Sequence, residues 1–399
     1  MSAERAGDTG KQRPAAGRLL MIEQGGRGGV ADYTEELTRA LAAEGWQVAL
    51  ATAEDHRYQP AGGVTIHPVF HYVRGRTPLA RAARRVGLGQ IANGLRFLLA
   101  IPRLVRLGRD SDLAHSQGWE FAPLGLVAIA CLRVAGVPVV QTAHNTFERG
   151  RSLDRAHAWL ARLTARTIVH TQADLARVPS TADGRVAVIP HGEYGALARS
   201  GGTADREAAR AELGIAADAP VTLLFGRLRA DKGLGDLLAA LARLPRLHLL
   251  VGGEEDGALA ATRDQLADPA LAGRVTVREG YLEMREAATL FAATDTVALP
   301  YPVASQSGVL LLAYGFHRPV VAYPVGGLVE AVIDGETGWL CARADVEALV
   351  GALGAAIGAG WPECRRRGEA GAELAEQRFG WPAIARRTGE LYRDVLAGT

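Results

Sequence analysis

The stretch from Leu223 to Leu234 holds the residues whose types and spacing point most clearly to chemistry. A short apolar run ends at Gly226, and the polar turn after it carries Arg227 and Lys232 before a helical pattern begins at Gly235. In α/β proteins ligands sit beyond the carboxyl ends of strands, where helix N-termini also favour anions, so this order reads as a phosphate site. Of 45 basic residues only Lys11 and Lys232 are lysines, and Lys11 falls in a polar tail. A compact ammonium on a flexible stem does not exchange freely with the planar arginine fork at a tight phosphate site. The plainer alternative is a solvated turn lysine.

Three further groups join this candidate. Pro300 to Val309 is a loop in which Ser305, Gln306, Ser307, Gly308 and Val309 lead into an apolar helical run, offering hydroxyls and free N–H groups to a phosphate or a sugar. Near the N-terminus, Gly25-Gly-Arg-Gly-Gly29 lies between an expected strand (18–22) and an expected helix (31–44), so Gly28 and Gly29 can bring backbone close to a ligand. The run from Gly136 ends in His144 and Asn145, and His115 ends a neighbouring expected strand. Histidines there are placed to face a ligand, although a lone histidine is more often structural. Asp110-Ser-Asp112 has the form of a metal-binding Asp-x-Asp. It follows a basic helical pattern instead of closing a buried strand, so no metal is assigned to it.

The elements that must position these groups form two alternating strand–helix units. Expected strands cover 18–22, 45–52, 113–117, 136–145, 167–171 and 186–192 in the first unit. In the second they cover 221–225, 248–251, 275–278, 296–299 and 320–322. Residues 193–210 lose the alternation and read as a linker. Two doubly wound halves would then enclose a cleft. The net charge of +2 argues against a nucleic-acid partner. Three scattered cysteines suggest a reducing compartment. The first 17 residues lack the apolar core of a signal peptide, and the longest nearly uncharged stretch, 121–132, is too short to span a bilayer. The expected location is therefore cytoplasmic. The arginine-rich segment 78–108, with Ile91, Leu95, Leu98 and Leu99 near one face, allows peripheral contact with the inner face of a membrane, but an ordinary helix broken at Pro102 is preferred.

Taken in order, the motifs resemble those of the retaining GT-B glycosyltransferases of family GT4. The resemblance covers nearly the whole chain after Gly17. It rests on the loop at Gly28-Gly-Val, Asp112-Leu-Ala-His-Ser116, Val139-Val-Gln-Thr-Ala-His144, Val188-Ile-Pro-His-Gly192 and Gly226-Arg-Leu-Arg-Ala-Asp-Lys-Gly233. It continues through residues 292–300 and 319–330 to Phe379-Gly-Trp381. Each motif is weak alone, and the ordered set is specific.

The resemblance implies an α/β, GT-B fold: a tail (1–17), a Rossmann-like acceptor domain (18–195), a linker (196–210) and a Rossmann-like donor domain (211–378). A C-terminal helix (379–399) crosses back onto the first domain. It implies that Arg227 and Lys232 hold the donor diphosphate, that His144 lies beside the transferred sugar, and that the glycine loop faces donor phosphate and acceptor. Tyr281 and Leu282 match the segment that meets the nucleotide base through its backbone. The implied donor is a UDP- or GDP-sugar, with no cofactor and no metal.

One departure stands out. The family carries two glutamates eight positions apart around the Ser305 loop. Here Ala304 or Ser305 occupies the first position, and Leu312 or Ala313 the second. Ser305, Gln306 and Ser307 are then the expected donor contacts, with Glu330 as a further carboxylate. Within the same cleft, a GT-B-like epimerase, a pseudo-glycosyltransferase and a non-catalytic nucleotide- or sugar-binding protein are the alternatives. A dinucleotide-dependent dehydrogenase lacks its G-x-G-x-x-G turn here.

Overall fold

A computed structural model describes residues 16–72, 88–119, 122–144, 159–176, 184–202 and 204–398. The first lobe is built on β1 (Gly17–Ile22), β2 (Trp46–Ala53), β3 (Val64–Phe70), β4 (Leu113–Ser116), β5 (Val139–Thr142), β6 (Arg166–Val169) and β7 (Val186–Val188). All pair in parallel, in the order β3-β2-β1-β4-β5-β6-β7. Parallel strands are covered by helices on both faces, so they read as continuous apolar runs, and Leu19 to Ile22 are fully buried.

The second lobe uses β8 (Val221–Phe225), β9 (Leu228–Arg229), β10 (His248–Gly253), β11 (Glu255–Asp256), β12 (Val275–Glu279), β13 (Thr296–Leu299), β14 (Val320–Ala322) and β15 (Gly338–Leu340). Its main sheet runs β12-β10-β8-β13-β14-β15, with β9 and β11 forming a small ribbon beside it. Strand order reverses between β1 and β4 in one sheet and between β8 and β13 in the other. Crevices open at such switch points. The glycine loop follows β1, the Arg227–Lys232 loop follows β8, and the Ser305 loop follows β13.

The chain changes cores between Ile189, in the first lobe, and Tyr194, in the second. The expected linker is largely helical: Gly195–Ser200 and Arg206–Leu213 are helices that pack on the second lobe through Ala198, Ala209 and Leu213. At six and eight residues they are too short for a helical period to stand out in the sequence. The helix Val346–Phe379 breaks locally at Gly360, at φ 73 and ψ 175. Trp381–Ala397 then returns to the first lobe, burying Trp381, Ile384, Tyr392 and Val395 in its core. Trp381 Nε1 donates to Glu193 O at 2.7 Å, pinning the crossing.

The helix Leu88–Arg109 corrects an expectation, because it runs unbroken through Pro102. Leu98 is 40% exposed, so the carbonyl that the proline frees lies on a flank open to water. Phe97, Ala100, Ile101 and Leu104 face the core, while Ile91, Leu95 and Leu99 point outward. Among the described residues no helix is long and apolar enough to cross a membrane. Asp112 has a structural role: its Oδ2 accepts from Arg18 N at 2.7 Å, anchoring the start of β1.

Candidate functional site

On the second lobe three loops meet backbone to backbone. A Cβ on Gly253 would lie 1.7 Å from Gly226 O, and one on Gly233, at φ 70, would lie 2.0 Å from Pro300 O. Only glycine permits these approaches. They bring Gly226, Lys232 and Tyr301 into one wall. The Lys232 ammonium sits 4.0 Å from the Tyr301 ring centroid. Burial, followed by the nearby Arg229 charge, depresses its pKa to about 8, and Asp231 offsets part of this. Asp231 itself is held by Arg229, whose Nε donates to Oδ1 at 2.8 Å. Among the described residues no carboxylate lies within ion-pair distance of Lys232. Arg227 stands at the rim, 66% exposed, with Nε 3.0 Å from Asp256 Oδ2.

After β13 the chain places Ser305, Gln306 and Ser307 ahead of the helix Gly308–Gly315. Ser307 caps that helix, its Oγ accepting from Leu310 N at 3.2 Å. Val309 leans towards Gly226, where a Cβ would meet it at 3.1 Å. Gln306 Oε1 is buried without a hydrogen-bond partner among the described residues. Ser305 donates across the lobes to Asp174 Oδ2 at 2.8 Å. Glu330 also crosses, accepting from Gln172 N at 3.0 Å and Ala173 N at 3.3 Å. In this structure Ser305 and Glu330 therefore join the two lobes. Tyr281 is 55% exposed with the Arg57 guanidinium 4.5 Å from its ring centroid, while Leu282 is half-buried against the second core.

The first lobe presents a different wall. Glu23, 4% exposed at the end of β1, accepts from Gly25 N and Gly26 N at 2.6 Å each and from Tyr58 OH at 2.7 Å. These bonds shape the glycine loop, although burial still pushes the Glu23 carboxyl above its ordinary range. Among the described residues a Cβ on Gly28 or Gly29 would meet nothing within 4 Å, so this part of the loop is uncovered by them. Asp32, in the first turn of the helix Gly29–Ala43, has its pKa raised to about 6, by burial first and by Glu35 next.

His144 is 8% exposed, with Nε2 2.9 Å from Gln117 Oε1 and Nδ1 3.2 Å from His170 Nε2. Its ring, with those of His170 and His191, surrounds Tyr33 at centroid distances of 4.8, 5.3 and 4.8 Å. His115, grouped by sequence with the acceptor loop, is placed instead in the core. It is fully buried, bonded to Tyr392 OH at 2.5 Å and Thr142 Oγ1 at 2.8 Å. Both ring nitrogens are used, so it presents nothing to a ligand. Asn145 lies outside the described residues.

Sequence reasoning missed Glu23, Asp32, Arg57, Asp174 and His170. A lone acidic residue beside a glycine loop is the one signal that could have flagged Glu23. Behind the Ser305 loop, a cavity of about 290 Å³ is lined by His170, His191, Gln306, Glu330, Arg378 and Arg387 among others. A second cavity, of about 260 Å³, includes Arg206, Asp295 and Trp361 and lies at the opposite ends of the second lobe's strands, away from these loops. Among the described residues no group of three or more His, Cys, Asp or Glu is arranged to hold a metal.

Comparison with known proteins gives a consistent account. Residues 27–192 match the family described as Glycosyltransferase Family 4, and residues 219–358 match Glycosyl transferases group 1. The glycogen synthase of Mycobacterium tuberculosis is 30% identical, over 93% of this chain and 92% of its own. The D-inositol 3-phosphate glycosyltransferase of Xylanimonas cellulosilytica is also 30% identical, over 93% of each. Sucrose-phosphate synthase from Thermosynechococcus elongatus shares the fold, at a TM-score of 0.76 and 24% identity over 96% of this chain and all of that structure.

Proposed function

This chain belongs to the family 4, group 1 glycosyl transferases, and on that premise we propose that it moves a sugar from a nucleoside diphosphate to an acceptor hydroxyl, with retention and without a metal. The observation that carries the reading is Lys232. An ammonium whose pKa is driven down to about 8 by burial, resting on an aromatic ring with only partial compensation from Asp231 and no carboxylate at ion-pair distance among the described residues, is electrostatically incomplete. A diphosphate at the switch point would complete it.

In the proposed step the bond between the anomeric carbon and the phosphate oxygen breaks, and negative charge gathers on the leaving diphosphate. Lys232 and Arg227 meet that charge, Arg227 after turning from Asp256. A preorganised charge such as Lys232 supplies on the order of 3 kcal/mol, and Arg227, which must first leave Asp256, supplies less. The acceptor oxygen bonds to the anomeric carbon from the face the leaving group vacates, and its proton passes to the leaving phosphate. The glycine loop at Gly28 and Gly29 faces diphosphate and acceptor, and His144 walls the sugar. Backbone at Tyr281 and Leu282 meets the base. Gln306, with its unpartnered Oε1, and the loop backbone at Ser305 to Val309 line the donor side.

The test is incubation of the protein with UDP-, GDP- and ADP-sugars and a panel of hydroxyl acceptors, reading free nucleoside diphosphate and the anomeric coupling constant of the product by proton NMR. Release of the diphosphate with an unchanged anomeric configuration, in the presence of a chelator, is the expected result. An inverted product would end the retaining reading, and an absence of nucleotide turnover with every donor would end the transferase reading.

A further inference from the structure

The three histidines around Tyr33 carry a proton-counting problem. His170 Nδ1 lies 3.0 Å from Ile189 O. A carbonyl only accepts, so this nitrogen holds the proton, and a neutral His170 has a bare Nε2. That Nε2 lies 3.2 Å from His144 Nδ1. Two bare nitrogens at this distance repel, so His144 Nδ1 must donate. A neutral His144 is then bare at Nε2, 2.9 Å from the Gln117 amide. The Gln117 end facing it must be the NH2 group, with its oxygen towards Met21 Sδ, 3.1 Å from the other end of the amide.

The alternative keeps the amide oxygen facing His144, which requires one extra proton on the pair and hence a buried imidazolium. Both rings are enclosed, and burial pushes both pKa values below the ordinary histidine range. Asp174, which acts on His170 electrostatically, is taken up by Thr171 Oγ1 at 2.7 Å and Ser305 Oγ at 2.8 Å. Turning the amide gives up one weak bond to a thioether and leaves the buried amide oxygen facing Met21 Sδ without a donor, a neutral loss that still costs less than an uncompensated charge in the interior. The neutral arrangement wins.

We propose that His170 is a positioning residue. It fixes His144 in the Nδ1–H tautomer and in one ring orientation, so that His144 serves the transfer as a neutral, immobile wall and not as a proton donor or base. The functional half of this rests on the transferase reading, and the tautomer does not. His170 touches no reacting atom. It acts through one hydrogen bond, and Ile189 O fixes its own tautomer in turn.

The test uses the full-length protein labelled with 15N-histidine. Long-range proton–nitrogen correlation is expected to show His144 protonated on Nδ1 and bare on Nε2. His144 protonated on Nε2, or on both nitrogens, would overturn the proposal whether or not any variant folds. His170→Phe keeps a ring of similar volume and removes both nitrogens. It is expected to shift His144 to the Nε2–H form and to lower kcat about tenfold, with the donor KM changed by less than about twofold. A His170→Phe protein whose His144 remains Nδ1–H, or whose kcat is unchanged, also overturns the proposal. Failure of the wild type to turn over any nucleotide sugar would remove the transferase reading and leave the spectrum to judge the tautomer.

Discussion

The two switch points solve different electrostatic problems. The one on the first lobe is closed: Glu23 is saturated by Gly25 N, Gly26 N and Tyr58, and His144 is bonded at both nitrogens. The one on the second lobe is open: Lys232 rests on a ring, Arg227 leans outward to Asp256, and Gln306 Oε1 has no partner among the described residues. A wall whose polar groups are already satisfied can hold a shape but cannot gain much from a ligand. A wall left unsatisfied has the most to gain when charge arrives. On the proposed reading this division would give the diphosphate to the second lobe and the positioning of the transferred sugar to the first.

The sharpest way to break this comparison is Lys232→Met, which keeps the stem and removes the charge. Turnover is expected to fall by on the order of 100-fold or more, measured as diphosphate release. Stability should move the other way. Lys232 has a folded pKa of about 8, below its ordinary 10.5. Its charged form is therefore disfavoured by folding, a penalty fully present below pH 8 and relieved as pH rises towards 10.5. The unliganded variant should melt above wild type at pH 7, with the gap closing towards pH 10. A variant that loses both activity and stability would mean that Lys232 is a structural residue.

Glu23→Ala probes the closed wall. It removes the carboxylate that accepts from Gly25 N, Gly26 N and the Tyr58 hydroxyl, at a cost of roughly 2 to 4 kcal/mol, read by urea denaturation. Asp32→Asn is the milder partner on the same lobe. With its pKa raised to about 6, Asp32 favours the folded state most below pH 4, and this contribution is lost as pH climbs through 6. The variant should match wild type near pH 4 and melt higher above pH 6. A constant difference across that range would show that the carboxyl is not desolvated in solution.

What could be read in advance follows physical range. Fully buried strands such as β1, β8 and β13 announce themselves as apolar runs. β3 was missed because it lies at a sheet edge, half-buried and interrupted by Pro68, and β15 because three residues carry no period. The glycine and lysine loops were legible because their residue types are locally constrained. The fastenings between lobes were not. Glu330 reaches backbone 158 residues away, and no local pattern on either segment signals the pairing. The same holds for His170, whose meaning depends on a carbonyl at Ile189 and a ring at His144 that only the sheet order brings together.

The smallest expected effect belongs to the contact that spans the comparison. Arg57, from the first lobe, places Nη1 3.2 Å from Glu283 Oε1 and its guanidinium 4.5 Å from the Tyr281 ring centroid, so it touches the second lobe at the segment proposed to meet the base. The Arg57 and Glu283 side chains are 46% and 65% exposed, and such pairs contribute little to stability, about 0 to 1 kcal/mol. Arg57→Ala should leave the melting temperature within about 2 °C of wild type. If the lobes close on the donor partly through this contact, the donor KM should rise two- to fivefold, about 0.4 to 1 kcal/mol, with kcat unchanged. Because an exposed ion pair is screened, the wild-type KM should also rise towards that of the variant as salt increases. A variant in which kcat falls while KM holds would move Arg57 from the rim of the cleft to the transition state, and the open wall would then extend onto the first lobe.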